Sequence, residues 1–370
     1  MPTVFFYISG HGFGHAVRQI TIINALSEVA PDLRVIVRTT TPAWLFERTV
    51  RGTIERLPGE TDTGVVQIDS LHPDEGETIV RARAFQERFA ELVAREAALL
   101  RAKNAALVVA DAPPLACAAA DDAGIPAVVC ANFTWDWIYR EYREQPGVTE
   151  LVAAIGDNYA RASGAWRMPV HGGFETIRNI VDIPLVARRG RAQGDRRSVR
   201  KRLGLPPERP LALVSFGGYG LRQLPLDRLD CLRDWGVVVS SPGEEPQTLP
   251  AGVHNVREDA MYDAGLRYED LVGAVDIVIT KPGYGILSDC VANGAAMLYT
   301  PRGRFPEYEV MVREMPGLLP CRCLESEAFA DGRWNEGLRE LSAVPPPPEQ
   351  PRVDGAEVVA AMIAGRVSAL

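Results

Sequence analysis

Short apolar segments alternate with helical segments along most of the chain, and this alternation is interrupted once. Such alternation favours parallel sheets that are covered by helices on both faces. The interruption is a basic, glycine-containing stretch over 182–210, which is typical of a linker. The predicted strands are 4–8, 33–39, 53–57, 65–68, 106–110, 126–131 and 166–170 before this stretch, and 211–216, 236–240, 253–256, 275–279 and 296–299 after it. We therefore expect an α/β protein in which two doubly wound, Rossmann-like domains face a central cleft.

The length of 370 residues also favours two domains, because one hydrophobic core rarely supports so long a chain. We place the N-terminal domain at 1–184 and the C-terminal domain at 185–343. The remaining segment, 344–370, contains consecutive prolines that stay close to polyproline geometry. It is predicted to be an extended connector followed by a helix that packs back on the body. In the N-terminal domain, a long amphipathic helix is expected over 77–103.

Charge and apolar patterning disfavour several classes of function. A net charge of -8 and a pI near 5.4 argue against a nucleic-acid surface. No apolar run reaches the roughly 18 residues of a membrane span, and the first predicted strand begins too early for a signal peptide, so a cytoplasmic protein is expected. Only Cys321 and Cys323 are close in sequence, and without a second Cys or His pair they predict no metal site. A homodimer is left open.

The first predicted strand runs directly into a turn that has glycines at three alternate positions within 10–14, with His11 and His15 beside them. Glycines let the backbone come close to a bound group, and the histidines bring an imidazole to the same place. The spacing is Gly-x-Gly-x-Gly-His, which differs from the dinucleotide fingerprint Gly-x-Gly-x-x-Gly. No acidic residue closes the second strand, where NAD ribose would be held, so a dehydrogenase is disfavoured. Arg38, at the end of that strand, leaves a weak opening for NADP.

Four segments carry a resemblance to a known family. They are 9–18, 132–142, 182–186 and 283–289, with the sequences SGHGFGHAVR, NFTWDWIYREY, DIPLV and GYGILSD. The chain resembles the GT-B glycosyltransferases, and most closely the N-terminal, glycosyltransferase-like half of plant-type L-arabinokinases. It is more distantly similar to nucleotide-sugar transferases of the peptidoglycan N-acetylglucosaminyltransferase type. The resemblance covers nearly the whole chain and implies a GT-B fold. The sugar-kinase domain of arabinokinases is absent from the 370 residues, so kinase activity is not carried over.

Glycosyl transfer requires a base for the acceptor hydroxyl and a means of holding the diphosphate leaving group. The resemblance implies a histidine base after the first strand, and His15 occupies this place, with His11 as the alternative. Asp111 follows an apolar strand and resembles the aspartate that some GT-B enzymes pair with their histidine. Structural roles stay open for both: His15 could pack at the start of the helix, and Asp111 could cap the next helix.

The donor site is expected in the C-terminal domain. The segment TKPGYG, 280–285, joins a strand to a helix and would present backbone N–H groups to a diphosphate, with loop 215–220 facing the same cleft. The predicted diphosphate ligands are Gly217, Gly218, Lys281, Gly283, Tyr284 and Gly285. By resemblance, Asp289 stands where related transferases hold ribose, although the family usually has Glu there. Glu307 and Glu309 stand where transferases contact the donor sugar. No cofactor or metal is expected beyond a nucleotide-sugar donor, with a UDP-sugar as the leading candidate.

The acceptor is expected on the N-terminal domain. Segment 132–142 is rich in aromatic residues, and aromatic faces beside amide and carboxylate groups suit a sugar or another ring-bearing acceptor. Its tryptophans have the competing interpretation of core residues. The predicted acceptor-side residues are His11, Gly12, Gly14, Asn132 and Asp136.

Together these features predict a metal-independent glycosyltransferase that inverts the donor sugar's configuration and uses His15 and Asp111 in catalysis. One alternative is a non-catalytic nucleotide-sugar-binding or regulatory module related to arabinokinase. Another is a sugar-nucleotide 2-epimerase, which Glu307 and Glu309 keep open because such enzymes place carboxylates around the donor sugar. Inversion is inferred only through His15, so the stereochemical course stays undetermined, as do the acceptor, the identity of the donor and the oligomeric state.

Overall fold

The computed structural model describes residues 2–68, 72–190, 195–216, 224–241, 249–301 and 305–369. Within these ranges the chain forms two sheets in which every neighbouring pair of strands is parallel. The first sheet contains β1 (Thr3–Ile8), β2 (Arg34–Thr39), β3 (Ile54–Pro58), β4 (Ala105–Asp111), β5 (Ala127–Phe133), β6 (Gly164–Gly172) and β7 (Ile180–Asp182). The second contains β8 (Leu211–Ser215), β9 (Gly236–Ser241), β10 (Val253–Arg257), β11 (Ile277–Thr280), β12 (Ala296–Tyr299) and β13 (Cys321–Cys323).

Helices connect the strands and cover both sheets. Those of the first half are α1 (Phe13–Val29), α2 (Ala43–Thr49), α3 (Glu75–Glu87), α4 (Phe89–Ala102), α5 (Pro114–Ala123), α6 (Trp135–Arg140) and α7 (Val148–Tyr159). Those of the second half are α8 (Arg196–Arg202), α9 (Glu258–Asp263), α10 (Tyr268–Ala274), α11 (Tyr284–Asn293), α12 (Pro306–Glu314), α13 (Ser326–Ala330), α14 (Asn335–Ser342) and α15 (Gly355–Ser368). This is the α/β architecture that the alternating pattern predicts, with one sheet in each half.

The central strands are mostly apolar because both of their faces are covered. In β1 every residue is buried, and in β4 the last five are. Parallel strands that carry helices on both faces show this continuous apolar pattern.

The strand order predicts one ligand-binding crevice at the carboxyl edge of each sheet. It is β3-β2-β1-β4-β5-β6-β7 in the first sheet and β10-β9-β8-β11-β12-β13 in the second. In both sheets the order reverses beside the first strand, between β1 and β4 and between β8 and β11. Open α/β sheets bind ligands outside the carboxyl ends of strands at such a reversal. The loops after β1, β4 and β11 are therefore the loops to examine for a site.

The two halves pack together. Helix α15 lies against α1, and α11 also contacts α1. One continuous cluster of buried side chains contains Val4 of β1, Val278 of β11 and Ile363 of α15. The connector before α15 is joined to the linker between the halves by hydrogen bonds from the Leu185 N–H to the Arg352 carbonyl and from the Gly355 N–H to the Leu185 carbonyl. Packing thus sets how the loops after β1 and β11 lie relative to each other.

Several predicted elements differ from the structure. Segment 65–68 is not a strand of either sheet, and Gln67 makes only an isolated bridge with Pro73. The single helix expected over 77–103 is two helices, because Arg88 leaves helical geometry with φ -98° and ψ 3°. Two edge strands, β7 and β13, were not predicted. Each has three residues and gains its backbone partners only from a neighbouring strand.

Candidate active site

The turn after β1 places His15 against the end of β4. Gly12 precedes α1 with φ 70° and ψ 177°, a conformation that other residues rarely adopt. Helix α1 therefore begins at once, and His15 lies in its first turn. Its Nδ1 is 2.9 Å from Oδ1 of Asp111, and both side chains are buried. The structure thus brings the predicted base and the predicted aspartate into contact.

Asp111 is surrounded by hydrogen-bond donors. Gln19 donates to Oδ2 at 2.9 Å, and Arg18 donates to both oxygens through Nε and Nη2. Burial by itself would raise the pKa of Asp111, but the charges of Arg18 and His15 lower it to about 2. Helix α5 has Pro113 as its N-cap residue, so Asp111 does not cap that helix. The carboxylate is therefore ionised at neutral pH and orients the side chains of α1.

Arg18 is a member of the site that the sequence analysis assigned no role. It lies one turn after His15, on the same face of α1. Its Nη2 is 2.8 Å from Nδ1 of His15, and its Nη1 donates to Oδ1 of Asn132 at 2.5 Å. The guanidinium carbon also lies 5.4 Å from the ring centroid of Tyr284, at the start of α11. Arg18 thus links His15 and Asp111 to the second half of the chain.

A second connection between the halves runs through Asn132, the predicted acceptor-side residue at the end of β5. Its Nδ2 donates to Oε1 of Glu307 at 2.8 Å, and its Oδ1 accepts from Arg18. Glu307 is 8% exposed in the first turn of α12, whereas Glu309 is exposed. The carboxylate predicted to contact the donor sugar is therefore bonded to the opposite half of the chain in this structure.

The sequence analysis also missed Asp62, which follows β3. Oδ1 of Asp62 accepts from Oγ of Ser9 at 2.9 Å, and Oδ2 accepts from Nε1 of Trp135 at 2.8 Å. Burial raises the pKa of Asp62 to about 6, although the residue keeps some exposed surface. The Trp135 ring lies 6.2 Å from the His15 ring and 5.6 Å from the His11 ring, between centroids. Asp62 thus belongs to the same group of side chains as the two histidines.

The glycines of the first turn face open space. Gly12 and Gly14 are exposed, and a Cβ added to either would meet no atom within 4 Å beyond its own chain neighbours. His11 is half-buried, and its Nδ1 accepts from the Val65 N–H at 3.3 Å. Phe13, between the glycines, is 43% exposed. A ligand could therefore approach the backbone beside His15.

The start of α11 has the same property. Gly283 precedes the helix and Gly285 lies in its first turn, and an added Cβ at either would meet no such atom within 4 Å. Neither has a positive φ, so the fold itself does not require glycine there. Lys281 is half-buried in the preceding loop, and the hydroxyl of Tyr284 accepts from the Val186 N–H at 3.2 Å. The other predicted diphosphate ligands, Gly217 and Gly218, lie outside the described residues.

Two predicted polar residues are engaged within the fold. Asp289 is buried and accepts from the Arg188 backbone N–H at 3.1 Å and from the Arg188 guanidinium, so the linker between the halves occupies its carboxylate. Asp136 is buried in α6, lies 3.5 Å from the Arg140 guanidinium, and has its pKa raised by burial. Trp135, with 1% exposure, is a core residue that also holds Asp62.

Three further classes of site can be assessed. Arg38, which left an opening for NADP, donates to both carboxylate oxygens of Glu96, at 2.7 and 3.0 Å. Among the described residues, no group of three or more His, Cys, Asp or Glu side chains is placed to hold a metal ion. In the same part of the chain, no helix is both long and apolar enough to cross a membrane.

Comparison with known structures defines the class of fold. The glycosyltransferase of kitacinnamycin superposes with a TM-score of 0.60 at 19% identity, covering 99% of both chains. Phytolacca americana UGT2, solved with UDP-2-fluoro-glucose and pterostilbene, gives 0.59 at 12% identity and covers all of both chains. The chain therefore has the GT-B fold of glycosyltransferases.

In sequence, the chain is similar to the L-arabinokinase of Arabidopsis thaliana. The two are 29% identical over 370 residues, which is 96% of this chain. The chain spans 33% of the length of that relative. No protein-family model matches the sequence.

Proposed function

We propose that this protein is a glycosyltransferase that moves a sugar from a nucleotide-diphosphate sugar to an acceptor hydroxyl, with inversion and without a metal ion. The contact between His15 and Asp111 carries the proposal. It lies at the carboxyl end of the first sheet, beside exposed glycines, and the start of α11 lies close by. A nucleotide diphosphate is the ligand that suits the start of α11, because helix N-termini with accessible backbone attract phosphate.

In this mechanism His15 is the general base. Nδ1 of His15 lies within hydrogen-bond distance of the Asp111 carboxylate, which only accepts, and of the Arg18 guanidinium, which only donates. In this mechanism the Nδ1–H points to Asp111, and Nε2 is left to take a proton. As the acceptor oxygen attacks the anomeric carbon, its proton passes to Nε2 and the bond from the sugar to the diphosphate breaks. The backbone N–H groups at Gly283 and Gly285, with the ammonium of Lys281, would stabilise the departing diphosphate.

The donor we propose is a UDP-sugar, a choice supported by the UDP-2-fluoro-glucose with which UGT2 was solved. His11, Gly12 and Gly14 would face the acceptor. Asp289 and Glu307 are held by Arg188 and Asn132, so contact with donor ribose or sugar would require these bonds to open.

That same observation favours a second candidate, a nucleotide-sugar-binding module without catalysis. In this candidate, the diphosphate would bind at the start of α11. The buried hydrogen bonds that join Arg18 to Asn132 and Asn132 to Glu307 would hold the two halves together. The similarity to one part of L-arabinokinase is compatible with a module that acts beside a kinase.

Comparing His15→Gln with His72→Gln separates the two candidates. His72 is an exposed histidine of the same half, which makes it a matched control. Thermal-shift screening with UDP, GDP, TDP and their sugars would first identify the donor, because a ligand that binds only the folded state raises Tm. Transfer to a panel of hydroxyl acceptors would then be measured. We expect His15→Gln to lose at least about 100-fold in kcat with unchanged nucleotide affinity, and His72→Gln to match wild type.

Full activity of His15→Gln would contradict the assignment of the base. Tight nucleotide-sugar binding by the wild type, without transfer or hydrolysis of any donor, would support the non-catalytic module instead.

A further inference from the structure

Asp62 lies beside the histidines, and its hydrogen bonds within the described part of the chain come from uncharged groups. Each of its oxygens accepts one hydrogen bond from a neutral donor, Oγ of Ser9 or Nε1 of Trp135. The Trp135 ring packs against the rings of His11 and His15. Both donors are buried, so the position of the carboxylate is set by the core.

The charge around His15 shows why a second carboxylate matters. Asp111 is paired with Arg18 through both of its oxygens, so the pair has no net charge. Arg18 Nη2 is also 2.8 Å from Nδ1 of His15. An imidazolium formed on His15 would therefore lie next to a guanidinium and next to a carboxylate that is already neutralised. Asp111 can orient the ring, but it supplies little net negative charge to balance a proton on it.

We propose that Asp62 supplies the negative charge that balances the imidazolium of His15, and that it acts as a positioning residue through His15 without touching the substrate. The catalytic part of this inference rests on the proposed function, but the electrostatic coupling of Asp62 with His15 does not.

The proposal keeps the proton balance simple. The acceptor proton moves to Nε2 of His15, and Asp62 stays ionised throughout. With Arg18 and Asp111 included, the group carries one net negative charge before the transfer and none after it. Within these four side chains, proton arrival thus leaves no net charge, whereas without Asp62 it would leave one positive charge in a buried region.

The surroundings of Asp62 support this role. Burial raises the pKa of Asp62 most, the hydrogen bond from Trp135 and a positive charge at His15 lower it, and the charge of Asp111 raises it, with a result of about 6. The Tyr139 ring stacks on Trp135, and burial and, to a smaller extent, the charge of Asp62 raise the pKa of the Tyr139 hydroxyl. Asp62 is therefore ionised at pH 7 and above and loses its charge as the pH falls through about 6.

The indole N–H of Trp135 gives a direct reading of this charge, because it donates to Oδ2 of Asp62. Its NMR signal, assigned by comparison with Trp135→Phe among the six tryptophans, should titrate near pH 6. An imidazolium at position 15 favours the ionised form of Asp62, so in His15→Gln, where that cation cannot form, the midpoint should rise by about half a pH unit or more. His72→Gln should leave the midpoint unchanged. An unchanged midpoint in His15→Gln would overturn the proposed coupling, whether or not the protein is a transferase.

The kinetic arm uses Asp62→Asn, with Asp157→Asn on the exposed face of α7 as the control. Asn preserves the shape, since its oxygen can accept from Trp135 and its amide can donate to Ser9. We expect kcat to fall at least about tenfold with the acceptor KM unchanged, and Asp62→Glu to restore part of the loss. Wild-type kcat for Asp62→Asn, or a loss confined to KM, would refute the role. A wild type without transferase activity would count against the proposed function alone, because the NMR arm still tests the coupling.

Discussion

Replacing Asp111 by Asn tests whether the buried pair of Asp111 and Arg18 holds the site together. Arg18 is 5% exposed and Asp111 is completely buried, so Asp111→Asn would leave a guanidinium charge in the interior without its counter-charge. Breaking a buried ion pair on one side typically costs about 3–5 kcal/mol. We expect the free energy of unfolding to fall by this amount at pH 7. Urea unfolding, followed by far-UV circular dichroism and tryptophan fluorescence, measures it.

A double-mutant cycle with Arg18→Met shows whether the loss comes from the pair. Methionine fills the space of the arginine stem without its charge, so the double variant should be clearly more stable than the sum of the single losses predicts, by about 2 kcal/mol or more. Asp121→Asn is the control, because Asp121 pairs with Arg161 at the surface with 53% of its side chain exposed, and its loss should stay within about 1 kcal/mol. Strictly additive losses, or a loss below about 1 kcal/mol for Asp111→Asn, would refute the reasoning.

Two further predictions concern acid stability and the start of α11. The pKa of Asp111 falls from 3.8 to about 2 on folding, so its ionised form stabilises the protein by about 2 kcal/mol above pH 4, and this contribution disappears as the pH falls through 2. Urea unfolding at a series of pH values should show this decline in wild type and not in Asp111→Asn; equal declines would contradict it. Gly285→Ala should not lower Tm, because a Cβ there meets open space, but should weaken nucleotide-diphosphate binding at least about tenfold in calorimetry. Gly365→Ala, at a similarly open position in α15, is the control, and unchanged affinity of Gly285→Ala would count against the diphosphate site.

The main strands could be predicted from the sequence because their physical cause is local. Residues of β1, β4, β8 and β11 are buried on both faces of their sheets, so each strand is a continuous apolar run that needs no knowledge of its neighbours. The edge strands β7 and β13 lack this signal, because three residues acquire strand geometry only through pairing with β6 and β12. Segment 65–68 shows the reverse case, a largely apolar segment that pairs with no strand of either sheet.

Some residues of the candidate site could be predicted from the sequence, and others could not. His15 and Asp111 could be proposed because each lies beside the end of a strand, where an open sheet presents side chains to a crevice. Arg18, Asp62 and Arg188 could not, because none of them stands at the end of a predicted strand. Only packing brings Asp62 to Trp135, 73 residues away, and Arg188 to Asp289, 101 residues away.

The sequence by itself determined the alternation of the main strands and helices, the glycine turns that start α1 and α11, and the presence of an imidazole and a carboxylate at strand ends. Tertiary structure alone decided that Asp111 is neutralised by Arg18, that Asp62 lies beside the histidines, and that Asp289 is occupied by the linker. The physical reason is how far apart in the sequence the interacting residues are. Burial patterns and turn geometry depend on a few consecutive residues, whereas the charge state of a side chain depends on which distant groups packing brings within a few ångströms of it.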